Sequence, residues 1–133
     1  MSKCIPYYET DKYIFVHGWI PCDTSDNYDL FDKEYQSYQY IDNWRDSDWY
    51  AASWLNGMDC WNNGIRIPDK TILCGHFHSS WGHCRLHHDG IEMPRFTIEK
   101  EVWNTSTFMD DGIMCLDACT VISRHVNCVK IGR

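Results

Sequence analysis

The chain has no Cys-x-x-Cys pair, although it holds eight cysteines in 133 residues. The usual spacing of a structural zinc site is therefore absent. It also lacks an apolar stretch long enough to cross a bilayer. Its opening residues, Met1-Ser2-Lys3-Cys4-Ile5-Pro6, show none of the apolar core of a secretory signal. The expectation is a cytoplasmic chain with free, mostly buried thiols rather than a disulfide framework. Positive charge is scarce too. Lysine and arginine number 12 against 19 acids, for a net charge of −7. No basic stripe exists to track a phosphate backbone, so nucleic-acid binding by bulk charge is not expected.

The acids are unevenly placed. Asp23, Asp26, Asp29, Asp32, Glu34, Asp42, Asp46 and Asp48 face only Lys33 and Arg45 across one segment. Such a run is expected to be a solvated surface excursion. Apolar bulk is plentiful, with seven Trp, eight Tyr and five Phe. That excludes a disordered chain, and the length suits a single domain over residues 1–133.

Tyr13-Ile14-Phe15-Val16 is β-branched and aromatic, and reads as a buried strand with His17 at its C-terminal end. Residues 22–62 read as the acidic excursion, partly helical, followed by a helix. That helix is expected from the cap candidates Asp46-Ser47-Asp48 to about Asn56, with Gly57 closing it. Its apolar stripe would be Trp44, Ala51, Leu55 and Met58, with Trp54 and Trp61 nearby. Asn62-Asn63-Gly64 is a turn signal.

Thr71-Ile72-Leu73-Cys74 reads as a second buried strand, which runs directly into Gly75-His76-Phe77-His78. Residues 84–88 and 95–99 are expected as strands joined through Asp89-Gly90, with Pro94 limiting the second. Residues 100–111 read as irregular. Residues 112–121 read as a continuous buried strand, and 126–131 as a half-exposed one.

Two strands thus end in histidine beside glycine. A rigid strand aims a ligand, and glycine clears the approach to it. In an extended Gly-His-x-His segment the two imidazoles would share a face.

Four segments together resemble a known family. They are Phe15-Val16-His17-Gly18-Trp19-Ile20-Pro21; Trp44-Arg45 with Trp54-Leu55-Asn56-Gly57-Met58; Ile72 to His83 through Gly75-His76-Phe77-His78; and Gly112-Ile113-Met114-Cys115-Leu116-Asp117-Ala118-Cys119-Thr120. In that order they resemble the latter part of bacterial calcineurin-like metallophosphoesterases, notably the group described as serine/threonine-type protein phosphatases. The resemblance spans Tyr7 to Ile131.

It implies an α+β fold: part of an αββα sandwich, mainly its C-terminal mixed or antiparallel sheet with one or two helices. It implies metal ligation by His17, His76 and His78, with His17 and His76 sharing one ion. The metals implied are Mn, Fe, Zn or Ni, two in the family's complete site. His83 and Asp117 are expected to support the ligands from behind, although Asp117 also reads as a plain structural acceptor. His83, His87, His88 and His125 are the further imidazoles from which a new single-metal site would draw. Arg45 either approaches a substrate phosphate or pairs with a neighbouring acid.

The family's Asp-x-His, Gly-Asp-x-x-Asp and Gly-Asn-His motifs do not occur in these residues. The carboxylates that offset the repulsion between two metal ions are therefore missing. The expectations that follow are weak or partial metal binding by the chain alone, and a complementary polypeptide or self-association through exposed apolar surface. The alternative is a non-catalytic protein-binding module.

Overall fold

The computed structural model describes residues 5–24, 38–40, 43–90 and 103–132. It is a mixed α+β structure. Among the described residues a five-stranded sheet has the order β1-β2-β5-β7-β6. Its strands are β1 (Tyr7–Glu9), β2 (Tyr13–Val16), β5 (Thr71–Cys74), β6 (Phe108–Asp110) and β7 (Ile113–Cys115). The central strands β2, β5 and β7 run parallel, while β1 and β6 close the edges antiparallel. A separate hairpin pairs β3 (Cys22–Thr24) with β4 (Tyr38–Tyr40). These strands stand at the two ends of the stretch expected as a partly helical excursion. Its middle lies outside the described residues.

Register explains which face is buried. Glu9, Ile14, Ile72, Ile113 and Asp110 form one row across the sheet. Its three isoleucines are fully buried, and its two edge positions are acids. Charged ends of this kind discourage edge-to-edge pairing. The next row, Tyr8, Phe15, Leu73, Met114 and Met109, points to the opposite face because side chains alternate along a strand. Leu73 at its centre is buried, whereas Tyr8 is 59% and Met109 51% exposed. Ile131 and Gly132 lie against the Tyr8–Phe15 end of this row.

The core lies on the isoleucine face. Ile14, Ile72, Cys74, Ile113 and Cys115 meet Met58, Cys60 and Trp61 of α2 (Gly57–Asn62), together with Trp19, Ile20, Trp49 and Phe108. Two glycines allow this approach. A Cβ on Gly57 would stand 2.7 Å from Trp19 and 2.9 Å from the Cys74 sulfur. One on Gly82 would stand 2.5 Å from the Met58 sulfur.

Four short helices are present among the described residues, where one or two were expected. The single helix expected over 46–56 is divided. α1 spans Asp46–Ala52 with Arg45 at its cap position. Asn56 then caps α2, its Oδ1 accepting the N–H groups of Met58 at 3.2 Å and Asp59 at 3.4 Å. Gly57 is therefore the first residue of a new helix, not the end of the old one.

The strand expected over 84–88 is also corrected. α3 spans Ser80–Arg85, and its start lies inside the stretch that continues the histidine motif. Residues 95–99 lie outside the described residues. Residues 100–111, expected to be irregular, include β6.

The strand expected over 112–121 stops at Cys115. The Asp117 carboxylate accepts the Cys119 N–H at 2.7 Å, and Cys119 takes a left-handed φ of 50°. This turn diverts the chain into α4 (Thr120–Ser123). Residues 126–131 form neither strand nor helix. No helix of the described residues is long and apolar enough to cross a membrane.

Candidate functional site

The three parallel strands end side by side, and the histidine motifs follow two of them. Ligand sites in open parallel sheets form just beyond such carboxyl ends, where diverging loops leave room. His17 follows β2, Gly75-His76 follows β5, and Leu116-Asp117 follows β7. Backbone hydrogen bonds stitch these loops together. Gly75 N–H donates to the His17 carbonyl at 2.8 Å, and Ser79 N–H donates to the Asp117 carbonyl at 2.7 Å.

His17 is exposed and His76 half-buried, with ring centroids 5.1 Å apart. Two imidazoles on one tetrahedral ion have centroids roughly 5 Å apart, given metal–nitrogen distances of about 2.1 Å. The pair thus has the spacing of two ligands on one ion. Burial lowers the His76 pKa, and the neighbouring His17 lowers it further, against a smaller opposing pull from Asp117. Both larger effects favour the neutral imidazole, the form that ligates metal.

The Gly-His-x-His segment is not extended, so the alternation argument for its two imidazoles does not hold. Phe77 N–H donates to the Gly75 carbonyl at 2.7 Å across His76, whose φ is 66°. A three-residue bond with positive φ at its centre marks a strained γ-turn. A non-glycine residue held there costs on the order of 1–3 kcal/mol, and such outliers gather at functional sites. His78 shares a 2.8 Å hydrogen bond with the Ser80 hydroxyl through Nδ1. That bond fixes the ring and leaves Nε2 for another partner.

Asp117 stands beside the pair, with its Cβ 4.0 Å from where a Cβ on Gly75 would lie. It influences His76 electrostatically, while one of its oxygens is held by the Cys119 N–H. It is therefore both a structural acceptor and a neighbour of His76.

The polar partners of the buried His83 lie elsewhere. Its Nε2 is 3.2 Å from the Ser106 carbonyl, and its Nδ1 is 3.7 Å from an Asp89 oxygen. His87 is exposed and pairs with Asp110 at 2.8 Å, which lowers the Asp110 pKa. His88 is exposed after α3, not in a hairpin, and His125 is exposed beyond α4. Arg45 takes the pairing option, its Nε and Nη2 each 3.1 Å from Asp48.

Among the described residues, no three His, Cys, Asp or Glu side chains converge into a metal-holding group. The donor set at the strand ends is a histidine pair, with Asp117 beside it and His78 anchored to Ser80.

Trp54, expected beside the apolar stripe of its helix, stands at the histidine pair. It is 58% exposed, and its ring stands edge-on to His76 at 5.3 Å and to His17 at 6.5 Å. Tyr50, 71% exposed, stands edge-on to Trp54 at 6.3 Å. The available signal was Trp54's place off the main apolar stripe.

Cys60, Cys74 and Cys115 are buried free thiols. Cys74 and Cys115 are register partners on β5 and β7. The Cys115 contact, burial and nearby negative charge push the Cys74 thiol well up. For Cys60 the Cys22 contact is the first cause, followed by burial. All three thiols pack the core beneath the site, and the raised Cys60 and Cys74 are poor nucleophiles.

No family model, no curated protein and no solved structure matches the chain.

Proposed function

We propose that this chain carries the histidine-bearing part of a metal-dependent phosphoesterase site, of the kind found in the C-terminal part of a metallophosphoesterase sandwich. The reading is carried by one observation: His17 and His76 leave adjacent parallel strands with ring centroids 5.1 Å apart, beside Asp117. The ordered sequence resemblance supports it independently. His17 and His76 would hold one divalent ion among Mn, Fe, Zn and Ni. His78, with Nε2 left available by the Ser80 contact, would serve a second. A bound ion of this type supplies Lewis acidity towards a phosphoryl oxygen and activates water for in-line attack. The residues of this chain contribute neutral ligands, a strained turn that aims His76, and one carboxylate. Further carboxylates are needed to offset the charge of two ions, and a complementary polypeptide would bring them.

The test is metal binding followed by turnover. Calorimetry with Ni or Mn should show weak binding of one ion per chain, lost in His17→Ala and in His76→Ala. Hydrolysis of an aryl phosphate should rise when a polypeptide bearing Asp-x-His, Gly-Asp-x-x-Asp and Gly-Asn-His motifs is added. Metal affinity unchanged by both substitutions would overturn the reading.

A second reading, a non-catalytic protein-binding module, is favoured by the sheet face opposite the core, where Tyr8 and Met109 stand open. The two stand on opposite edge strands of this face, and each offers apolar surface to a partner. Aryl phosphate turnover that His76→Ala abolishes would rule this reading out.

A further inference from the structure

Beside the histidine pair lies a cleft of about 600 Å3. His17 forms one side, and Pro6, Asp46, Trp49, Tyr50 and Ser53 form much of the rest. Among the described residues that line it, none is lysine or arginine. Trp49 is buried, so the open aromatic surface of the cleft is Tyr50, with Trp54 packed against it at 73° outside the lining. Because Trp54 also stands against His76 and His17, this aromatic corner adjoins the imidazoles.

Asp46 makes the chemistry more specific. Asp48, two residues on, has both oxygens engaged by Arg45. Asp46 has no ion-pair partner among the described residues, and it lines the cleft. A neutral aryl group seated there would cover this carboxylate without compensating it. A polyanionic group would be repelled by it and by the net charge of −7. A cation gains from the carboxylate, from the chain's field, and from the Tyr50 face through its quadrupole. An aromatic face beside negative charge is a recurring recognition surface for quaternary ammonium.

We infer that this cleft binds a quaternary ammonium group, and that the substrate class is a zwitterionic phosphoester whose ammonium end rests against Asp46 and Tyr50. The phosphate end would then reach His17 and His76. That second part rests on the phosphoesterase reading; the ammonium subsite does not.

The experiment titrates choline into the full chain by calorimetry, with 3,3-dimethylbutan-1-ol as its uncharged isostere. Choline should bind with a Kd on the order of a millimolar, and the isostere about fivefold more weakly or worse. Asp46→Asn and Tyr50→Ala should each weaken choline binding roughly tenfold. Tyr50 is mostly exposed, so its variant keeps the test usable if Asp46→Asn fails to fold. No choline binding, equal binding of the isostere, or full affinity in either folded variant overturns the inference. A separate arm compares phosphocholine with choline in the presence of Mn. Tighter binding of phosphocholine supports the substrate class. No gain refutes the phosphate end alone; the phosphoesterase reading is judged by its own metal-binding test, and the ammonium subsite stands on the choline results.

Discussion

The His17 and His76 imidazoles stand 5.1 Å apart because β2 and β5 are parallel neighbours that end at the same level. Gly75 closes the arrangement by donating its N–H to the His17 carbonyl. The pair is thus set by backbone pairing, and it should survive changes to the surface around it.

The γ-turn at His76 predicts an unusual order of stabilities. His76→Ala keeps a Cβ at φ 66°, whereas His76→Gly removes the conflict. The glycine variant should be more stable than the alanine variant by about 1 kcal/mol. Urea denaturation of the two proteins measures this. An alanine variant as stable as the glycine variant would show that the turn is unstrained.

The lowered pKa of His76 predicts a loss of stability on acidification. The unfolded chain binds this proton more readily than the folded one. The contribution is therefore fully present above the ordinary value of 6.5, and is lost as pH falls from there through the folded value. His76→Asn should flatten this part of the stability profile below neutral pH. Parallel thermal-melt series on the two proteins supply the comparison, and identical slopes would count against it.

Close packing at Gly57 predicts a sharp contrast between glycines. A Cβ there meets Trp19, Cys74 and the Gly18 carbonyl within 2.9 Å, whereas one on Gly132 meets nothing within 4 Å. Gly57→Ala should destabilise the protein by about 1–3 kcal/mol, and Gly132→Ala should be close to neutral. Equal melting temperatures for the two variants would refute the packing argument.

The legible parts of the sequence were those set by hydropathy alone. β2 and β5 are short apolar runs that end at the His17-Gly18 and Gly75-His76 steps, so their limits and their terminal histidines could be read directly. The overextension of β7 had a polar cause. Ala118 to Val121 is apolar enough to continue a strand, but Asp117 captures the Cys119 N–H and turns the chain. A hydropathy pattern does not record one carboxylate reaching two residues ahead.

The same limit hid Trp54 and Tyr50. Their position depends on α1 ending at Ala52 and on Asn56 starting a new helix, events decided by a few capping hydrogen bonds. His78 was expected to share a face with His76, an argument that required extended backbone. The turn at His76 removes that premise.

The parallel order β2-β5-β7 also bears on how the molecule assembles. Parallel neighbours require long crossovers, so each pairing joins segments far apart in the chain and carries a large loop-closure entropy. No local fragment brings His17 close to His76. The pair therefore comes into being only as the sheet's most distant partners meet, late in folding.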